Sequence, residues 1–276
     1  MTTTITKRLG LCALGLLVLL SSYPGLADEG ERFAKGKLLF ESTMKTSETV
    51  KGWKMEGPGT VDFRNGWMHM FSSEEKMHHV YWCPETFQST FIAEWEAQNM
   101  ETDAGLCIVF FAAKGENGED IFDPTLPRRS GDFKQYTRGK IVSYHISYYA
   151  NSAHNPNRGH ANLRKNNKFI LVQEGEEGIP TKSKGVHRIQ LIKDGPHIVM
   201  LVDDRKIIDW TDNGKTHGPV HTDGKIGFRQ MKWTHFRYRN FKVWALRSAQ
   251  EENVANKTDA GDGKNRHALC RTLNKS

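Results

Sequence analysis

Apolar and polar residues alternate with a period of two along several short segments, which predicts β-strands rather than helices. In segment 91–98 the odd positions carry Phe, Ala, Trp and Ala, and the even positions carry Ile, Glu, Glu and Gln. Segment 106–113 is a continuous apolar run of strand length. Segment 141–150 alternates again, and we predict that Tyr148 lies on one face while His145 and Tyr149 share the other.

Turn signals divide the second half of the chain into further short strands. Asp194-Gly195 follows a strand-like segment and predicts a hairpin into residues 197–202. Asp203-Asp204 predicts the next turn, and residues 225–229 and 236–246 predict two more strands. No segment of twelve or more residues has a convincing helical period. The pattern predicts one all-β sandwich of two antiparallel sheets over residues 30–247.

The two ends of the chain differ from this pattern. Residues 1–27 combine Lys7 and Arg8, an apolar run, and small residues before Ala27, which predicts a cleavable signal peptide. The apolar run is shorter than the ~20 residues of a membrane span. We therefore expect a periplasmic or secreted protein with no stable membrane association. Residues 248–276 have no apolar periodicity, and we expect a disordered tail.

The charge composition indicates which classes of partner the protein can bind. The 276 residues contain 39 Lys and Arg against 32 Asp and Glu, a formal net charge of +7, which loss of the signal would lower by two. No run of five like charges is present, so a nucleic-acid partner is not expected. The basic balance fits an acidic glycan. Of the four cysteines, none forms a C-x-x-C pair, and Cys107 in its apolar run predicts a buried, inert thiol.

Three ordered stretches resemble the concanavalin A-like (jelly-roll) lectin and glucanase superfamily. They are a hairpin beginning at His187, the segment 206–210, and the pair Gly224–Arg229 and Tyr238–Val243. The resemblance implies a jelly-roll sandwich.

A closer resemblance is to the YesU-like family of bacterial jelly-roll proteins. The residues that carry it are Trp82–Phe87, Gly105–Ala113, Gly118–Pro124, Asn162–Lys165 and Gly227–Met231. These stretches cover most of residues 50–245. The resemblance implies a role in the breakdown of acidic polysaccharides and leaves the reaction open.

One candidate chemistry uses the carboxylates of Glu94 and Glu96, which share a strand face about 7 Å apart by strand rise. Glycoside hydrolysis needs such a pair, one as acid and one as base or nucleophile. The third carboxylate of the E-x-D-x-x-E run typical of jelly-roll glucanases is absent. We expect Glu96 to be catalytic and Glu94 to bind substrate, unless both belong to a solvated sheet face.

A second candidate chemistry is β-elimination on a uronate. We expect His145, with Tyr148 or Tyr149, to remove and donate protons. Arginine and amide groups then neutralise the substrate carboxylate and acidify the adjacent proton. The binding residues we expect are Asn162, Arg164, Lys165, Trp82, Arg128 and Gln230.

No transition-metal site or cofactor is expected, because the twelve histidines include no H-E-x-x-H run. A structural Ca²⁺ held by Glu119, Asp120 and Asp123 is one option, and turn capping by these acids is the other. The leading hypothesis is an exported lyase or dehydratase acting on acidic oligosaccharides. The alternatives are a glycoside hydrolase using Glu96 with Glu94, and a non-catalytic glycan-binding module.

Overall fold

The computed structural model describes residues 33–72, 78–101, 105–151 and 158–247. The predicted signal peptide, residues 1–27, and the predicted tail, residues 248–276, lie outside the described residues. Within the part that is described, no helix is long and apolar enough to cross a membrane.

Fifteen strands, one 3₁₀ turn (Ser47–Val50) and one short helix, α1 (Phe133–Thr137), make up the described chain. The strands are β1 (Lys35–Ser42), β2 (Lys54–Glu56), β3 (Gly59–Arg64), β4 (Trp67–Ser72), β5 (His79–Phe87), β6 (Thr90–Asn99), β7 (Gly105–Gly115), β8 (Ile141–Asn151), β9 (His160–Asn166), β10 (Ile170–Glu177), β11 (Val186–Asp194), β12 (His197–Val202), β13 (Arg205–Thr211), β14 (Gly224–Gln230) and β15 (His235–Leu246).

The strands form two antiparallel sheets. Sheet A has the order β13-β12-β11-β6-β15-β4-β3, with β1 also paired to β15. Sheet B has the order β10-β9-β8-β7-β14-β5-β2. The predicted all-β jelly-roll sandwich is therefore confirmed.

The main core lies between the two sheets and is built by the period-two alternation. Phe91, Ala93, Trp95 and Ala97 of β6 all lie in it, as the sequence pattern predicted. The Trp95 ring meets Phe228 of the opposite sheet edge-on, at 5.2 Å between ring centres. Aromatic pairs in this geometry add about 0.5–1.5 kcal/mol to the burial of their area. Each sheet also has an outer face, which points away from the other sheet.

Both predicted hairpins are present. Asp203 and Asp204 join β12 to β13 with φ of 51° and 64°, the left-handed pair that a tight two-residue turn needs. The turn between β11 and β12 consists of Gly195 and Pro196, one residue later than the sequence suggested, with Gly195 at φ 57°.

A β-bulge in β8 changes one predicted face. The register between β7 and β8 shifts so that Cys107 faces Tyr149 while Ile108 faces Ser147. The extra residue turns Tyr149 inward beside Tyr148, and both side chains lie in the core between the sheets. The prediction that Tyr149 shares a face with His145 is therefore wrong.

The connection between β7 and β8, residues 116–140, folds over part of the outer face of sheet B. Tyr136 of α1 packs there on Trp82 and Phe110, with ring centres 6.4 and 5.7 Å apart. Arg129 anchors the connection by two hydrogen bonds to Glu56 of 3.0 and 2.7 Å. We call residues 116–140 the cover. Beyond Tyr136, Phe133 of the cover contacts Arg229 and His145 at the border of the remaining, more polar part of this outer face.

Candidate functional site

The part of the outer face of sheet B that lies beyond Trp82 and Tyr136 carries most of the polar chemistry. Alternation along β8 places Ser143, His145 and Ser147 outward, and the paired residues of β9 are Asn166, Arg164 and Asn162. Arg229 of β14 lies opposite Ile108 of β7 on the same face. We call the set Arg158, Arg164, Arg229, His145 and Asn162 the arginine groove.

The three arginines of the groove contact neutral groups. Arg158 donates a hydrogen bond to Ser147 Oγ, and the Asn162 oxygen, with its amide turned to accept, lies 3.0 Å from Arg158 Nη2. Arg164 donates to the Phe169 carbonyl at 3.1 Å and stacks on that ring at 4.1 Å. In the described parts of the chain, none of the three forms an ion pair with a carboxylate. Their positive charge is available to an anion.

Arg229 is the most enclosed of the three. It is only 2% exposed, and its guanidinium carbon lies 4.2 Å from the centre of the Phe133 ring. Its Nε is buried without a hydrogen-bond partner. Burial lowers the pKa of Arg229 to about 10, still well above neutral, so the side chain remains charged.

His145 lies beneath aromatic rings rather than open to the groove. Its ring centre is 5.3 Å from Phe110, 5.7 Å from Phe133 and 5.9 Å from Phe169, and the residue is 2% exposed. Burial first, and then Arg164 and Arg229, hold the pKa of His145 well below its ordinary value. The imidazole is therefore neutral near pH 7.

Asn166 determines which nitrogen of His145 carries the proton. Its Nδ2 lies 3.0 Å from His145 Nδ1 and 2.9 Å from Ser143 Oγ. An amide nitrogen only donates, so this orientation makes Nδ1 an acceptor and leaves the proton of the neutral ring on Nε2. In that tautomer Nε2 is a hydrogen-bond donor and not a base.

A cavity of about 250 Å³ opens beside these residues. Arg229 and Arg158 line it together with His78, and the other described residues that line it are apolar: Leu106, Phe133, Ala150 and Met231. The Lys232 amide donates to His78 Nδ1 at 3.2 Å. Burial, followed by the charges of Arg229 and Lys232, lowers the pKa of His78 to about 4.

Several residues predicted from the sequence lie away from the groove. Tyr148 packs against Trp95 and Tyr149 accepts a hydrogen bond from Asn99 at 2.8 Å, both between the sheets. Lys165 points away from Arg164, as its position predicted, and donates to Asp212 at 2.6 Å inside the molecule. Gln230 donates to Tyr238 within the core.

Trp82 and Arg128 lie on the covered side of sheet B. Trp82 is fully buried under the cover and donates its Nε1 hydrogen to Glu56 at 3.0 Å. It therefore has no open ring face for a sugar. Arg128 is exposed on the cover and lines a separate surface cavity of about 410 Å³ with Lys54 and Phe122.

Glu94 and Glu96 do share one face, as predicted, but it is the outer face of sheet A. Glu94 accepts hydrogen bonds from Gln190 at 2.6 Å and pairs with Lys35 at 2.7 Å. Glu96 pairs with Arg239 at 2.6 Å and accepts from Asn240 at 2.8 Å. Each carboxylate already has a cation and an amide, and the arginine groove lies on the other sheet.

The acids considered for Ca²⁺ serve the local backbone. Glu119 accepts from the Asn117 amide, Asp120 from the Phe122 amide, and Asp123 from the Thr125 amide and hydroxyl. Asp120 also pairs with Lys225 at 3.0 Å. Within the described ranges, no three His, Cys, Asp or Glu side chains are arranged to hold a metal. These contacts match the alternative that the acids cap turns of the cover.

The sequence reasoning missed Arg229, Arg158 and His78. A signal for Arg229 was present, because Phe228 and Gln230 share one strand face and the residue between them must take the other. Gln230 is a polar residue of a family motif and was predicted to bind substrate, although the alternation assigns it to the core. Nothing in the local sequence around His78 or Arg158 indicates that they meet at one cavity.

The fold is that of the concanavalin A-like jelly-roll lectins. The carbohydrate recognition domain of Emp47p aligns with a TM-score of 0.52 at 14% identity, over 76% of this chain and 97% of that chain. The exoplasmic/lumenal domain of VIP36, in its Ca²⁺/Man3GlcNAc-bound form, aligns with a TM-score of 0.52 at 11% identity, over 79% of this chain and 95% of that chain.

Residues 37–243 match the family described as a domain of unknown function, DUF1961, and the chain belongs to that family. The uncharacterized protein YesU of Bacillus subtilis is 37% identical over 214 residues, 76% of this chain and 97% of YesU. A crystal structure of a Bacillus subtilis protein of unknown function with a galectin-like fold aligns with a TM-score of 0.75 at 37% identity, covering 78% of this chain and 98% of that chain. The YesU-like resemblance is confirmed.

Proposed function

We propose that the protein binds acidic, uronate-containing glycans in the arginine groove of sheet B. The observation that carries the proposal is that three guanidinium groups converge around His145 while no described carboxylate pairs with them. Arginine offers a planar fork that binds a carboxylate through two parallel hydrogen bonds.

The surroundings of the arginines suit a sugar. Phe133 and Phe169 supply apolar ring surface beside the charges. Asn162 and Ser147 add the uncharged polar groups that hydroxyl recognition uses. The lectin-like fold supports the same conclusion by analogy, since this architecture holds carbohydrate recognition domains among other functions.

β-Elimination at the same groove is a second candidate, because a neutral histidine beside arginines is the set that proton removal next to a carboxylate needs. It would require the Asn166 amide to turn so that its oxygen accepts from His145 Nδ1, freeing Nε2 as a base. It would also require Phe133 or Phe169 to move, since His145 is enclosed by them. Binding requires neither change.

Hydrolysis by Glu96 with Glu94 draws no support from the geometry, because both carboxylates are held by cations on the outer face of sheet A. Export to the periplasm or the medium remains part of the proposal on the strength of residues 1–27 alone. An exported protein would meet acidic polysaccharides outside the cytoplasm.

The test is calorimetric titration with oligomers of galacturonate and glucuronate and with the corresponding neutral oligomers. The same mixtures are followed for unsaturated-uronate absorbance and product mass. We expect binding of the acidic oligomers, little binding of the neutral ones, and affinity that falls as salt rises. Arg164→Gln should weaken binding at least tenfold, whereas Arg237→Gln on the outer face of sheet A should not change it.

The outcomes separate the candidates. Binding without a new product identifies a binding module, and unsaturated products without added water identify elimination. Products that gain water identify hydrolysis. Equal affinity for acidic and neutral oligomers would contradict the proposed recognition of acidic glycans.

A further inference from the structure

We propose that the cavity beside Arg229 takes a single uronate ring at the end of a glycan chain, with its carboxylate on Arg229 and Arg158. This inference rests on the proposed function and deepens it, because it names the part of the glycan that is recognised. It follows from an unpaired buried cation, from the other donors of the cavity, and from the cavity's size and walls.

The first observation is that Arg229 has N–H groups without hydrogen-bond acceptors. A guanidinium has five N–H donors. Arg229 is only 2% exposed, its buried Nε has no partner, and it forms no hydrogen bond to a described residue. Buried charges are otherwise paired, because a charge that leaves water without gaining a partner destabilises the folded state. The Phe133 ring at 4.2 Å supplies only part of that compensation. A carboxylate in the cavity would supply the rest.

The second step is that the neighbouring groups of the cavity are also donors. Arg158 lines it, with its Nε and Nη2 groups held by Ser147 and the turned Asn162 amide, so that its Nη1 group is left for a ligand. His78 accepts the Lys232 amide at Nδ1, and a backbone N–H can only donate, so the neutral ring carries its proton on Nε2. Two guanidiniums and an imidazole N–H therefore offer donors. Among the described residues that line the cavity there is no carboxylate, and Asp132, whose charge acts on Arg229 and His78, lies outside this lining. This is the chemistry of an anion site.

The third step is the size and the walls of the cavity. Its volume of about 250 Å³ is below the ~300–1,000 Å³ of pockets that hold drug-sized ligands, which suits one sugar ring better than several. Phe133 closes one side, and behind it the cover packs on Trp82 and Phe110. A glycan cannot continue across the sheet in that direction. The ring beside Arg229 is therefore a chain end.

The experiment compares free galacturonate and glucuronate with their dimers, trimers and hexamers, by calorimetric titration of the wild-type protein. A second series uses the same monomers as methyl esters. We expect the monomer to bind within about threefold of the hexamer, and the ester to bind at least tenfold more weakly. Arg229→Lys should reproduce the loss seen with the ester, and Arg237→Gln is the matched control.

Failure of the inference and failure of the proposed function give different results. If acidic oligomers bind while the monomer does not, or if the ester binds as well as the acid, the chain-end carboxylate site is wrong and the arginine groove still binds glycan. If no acidic oligomer binds, both proposals fall. The ester series uses the unaltered protein, so a poorly folded Arg229 variant does not weaken the test.

Discussion

His145 is a residue of catalytic type that is enclosed by other side chains. The sequence places it on a polar strand face, which suggests that its removal affects function more than stability. The structure adds what the strand pattern does not contain: three aromatic rings from other elements and the Asn166 amide enclose it.

We therefore predict that His145→Ala lowers the free energy of unfolding by about 2–4 kcal/mol, because it opens a cavity and removes a partner of Asn166. Urea unfolding at pH 7 measures the change. His160→Ala is the control, since that side chain is partly exposed on β9 and should change stability by less than about 0.5 kcal/mol. A variant as stable as the wild type would show that the aromatic enclosure contributes no packing energy.

For other residues, the strand period predicts the sheet face correctly, whereas residue type alone suggests a wrong role. The alternation predicts that Asn162 and Arg164 share a face and that Lys165 takes the opposite one, and this is confirmed. The same alternation assigns Gln230 to the core. The sequence does not show whether Lys165 binds a ligand or pairs with a buried aspartate, because its partner, Asp212, is distant in sequence.

Among the elements, the strands were predictable because apolar alternation and turn chemistry are local properties of the chain. The bulge at Tyr148 and Tyr149 was not, because an inserted residue leaves the composition of the strand unchanged. The cover was not predictable either. Its position depends on Glu56, which contacts both Arg129 and Trp82 across long sequence separations.

We predict that Glu56→Ala releases the cover from sheet B. The Glu56 carboxylate accepts hydrogen bonds from Arg129 and Trp82, and the Arg129 side chain is only 6% exposed. Removing the carboxylate therefore leaves a buried cation without its anion. Breaking such a pair costs about 3–5 kcal/mol. Hydrogen exchange should accelerate in residues 116–140 and little elsewhere.

The control for this variant is Asp62→Ala, which removes an exposed ion pair with Arg64 worth about 0–1 kcal/mol. Exchange in the cover should not respond to it. If Glu56→Ala left exchange in residues 116–140 unchanged, aromatic packing alone would hold the cover in place.

The folded protein contains buried histidines that are neutral near pH 7. His79 is fully buried between the sheets beside Gln230, and burial, followed by the charge of Arg229, lowers its pKa to about 4. Burial likewise lowers the pKa of His221 to about 4. Unfolded histidine titrates near 6.5, so between pH 6.5 and 4 the unfolded chain binds more protons than the folded one.

It follows that stability is lost as the pH falls from 6.5 toward 4. We expect His79 alone to account for about 2 kcal/mol between pH 7 and pH 5. Urea unfolding at the two pH values measures this loss, and His79→Leu should reduce it by that amount. An identical loss in the variant would mean that the titration of His79 does not contribute.

The length of the cover decides how much of sheet B a ligand can reach. β7 and β8 are adjacent antiparallel strands, and Gly115 pairs with Ile141, so a hairpin of about 2–5 residues could join them. Residues 116–140 are therefore an insertion that the sandwich itself does not require. Its length sets how much of sheet B is open, while Trp82 and Phe110 beneath it are aromatic rings of the kind that stack on sugars. A relative with a short hairpin here would expose these two rings and could bind an interior segment of a polysaccharide on the same strands.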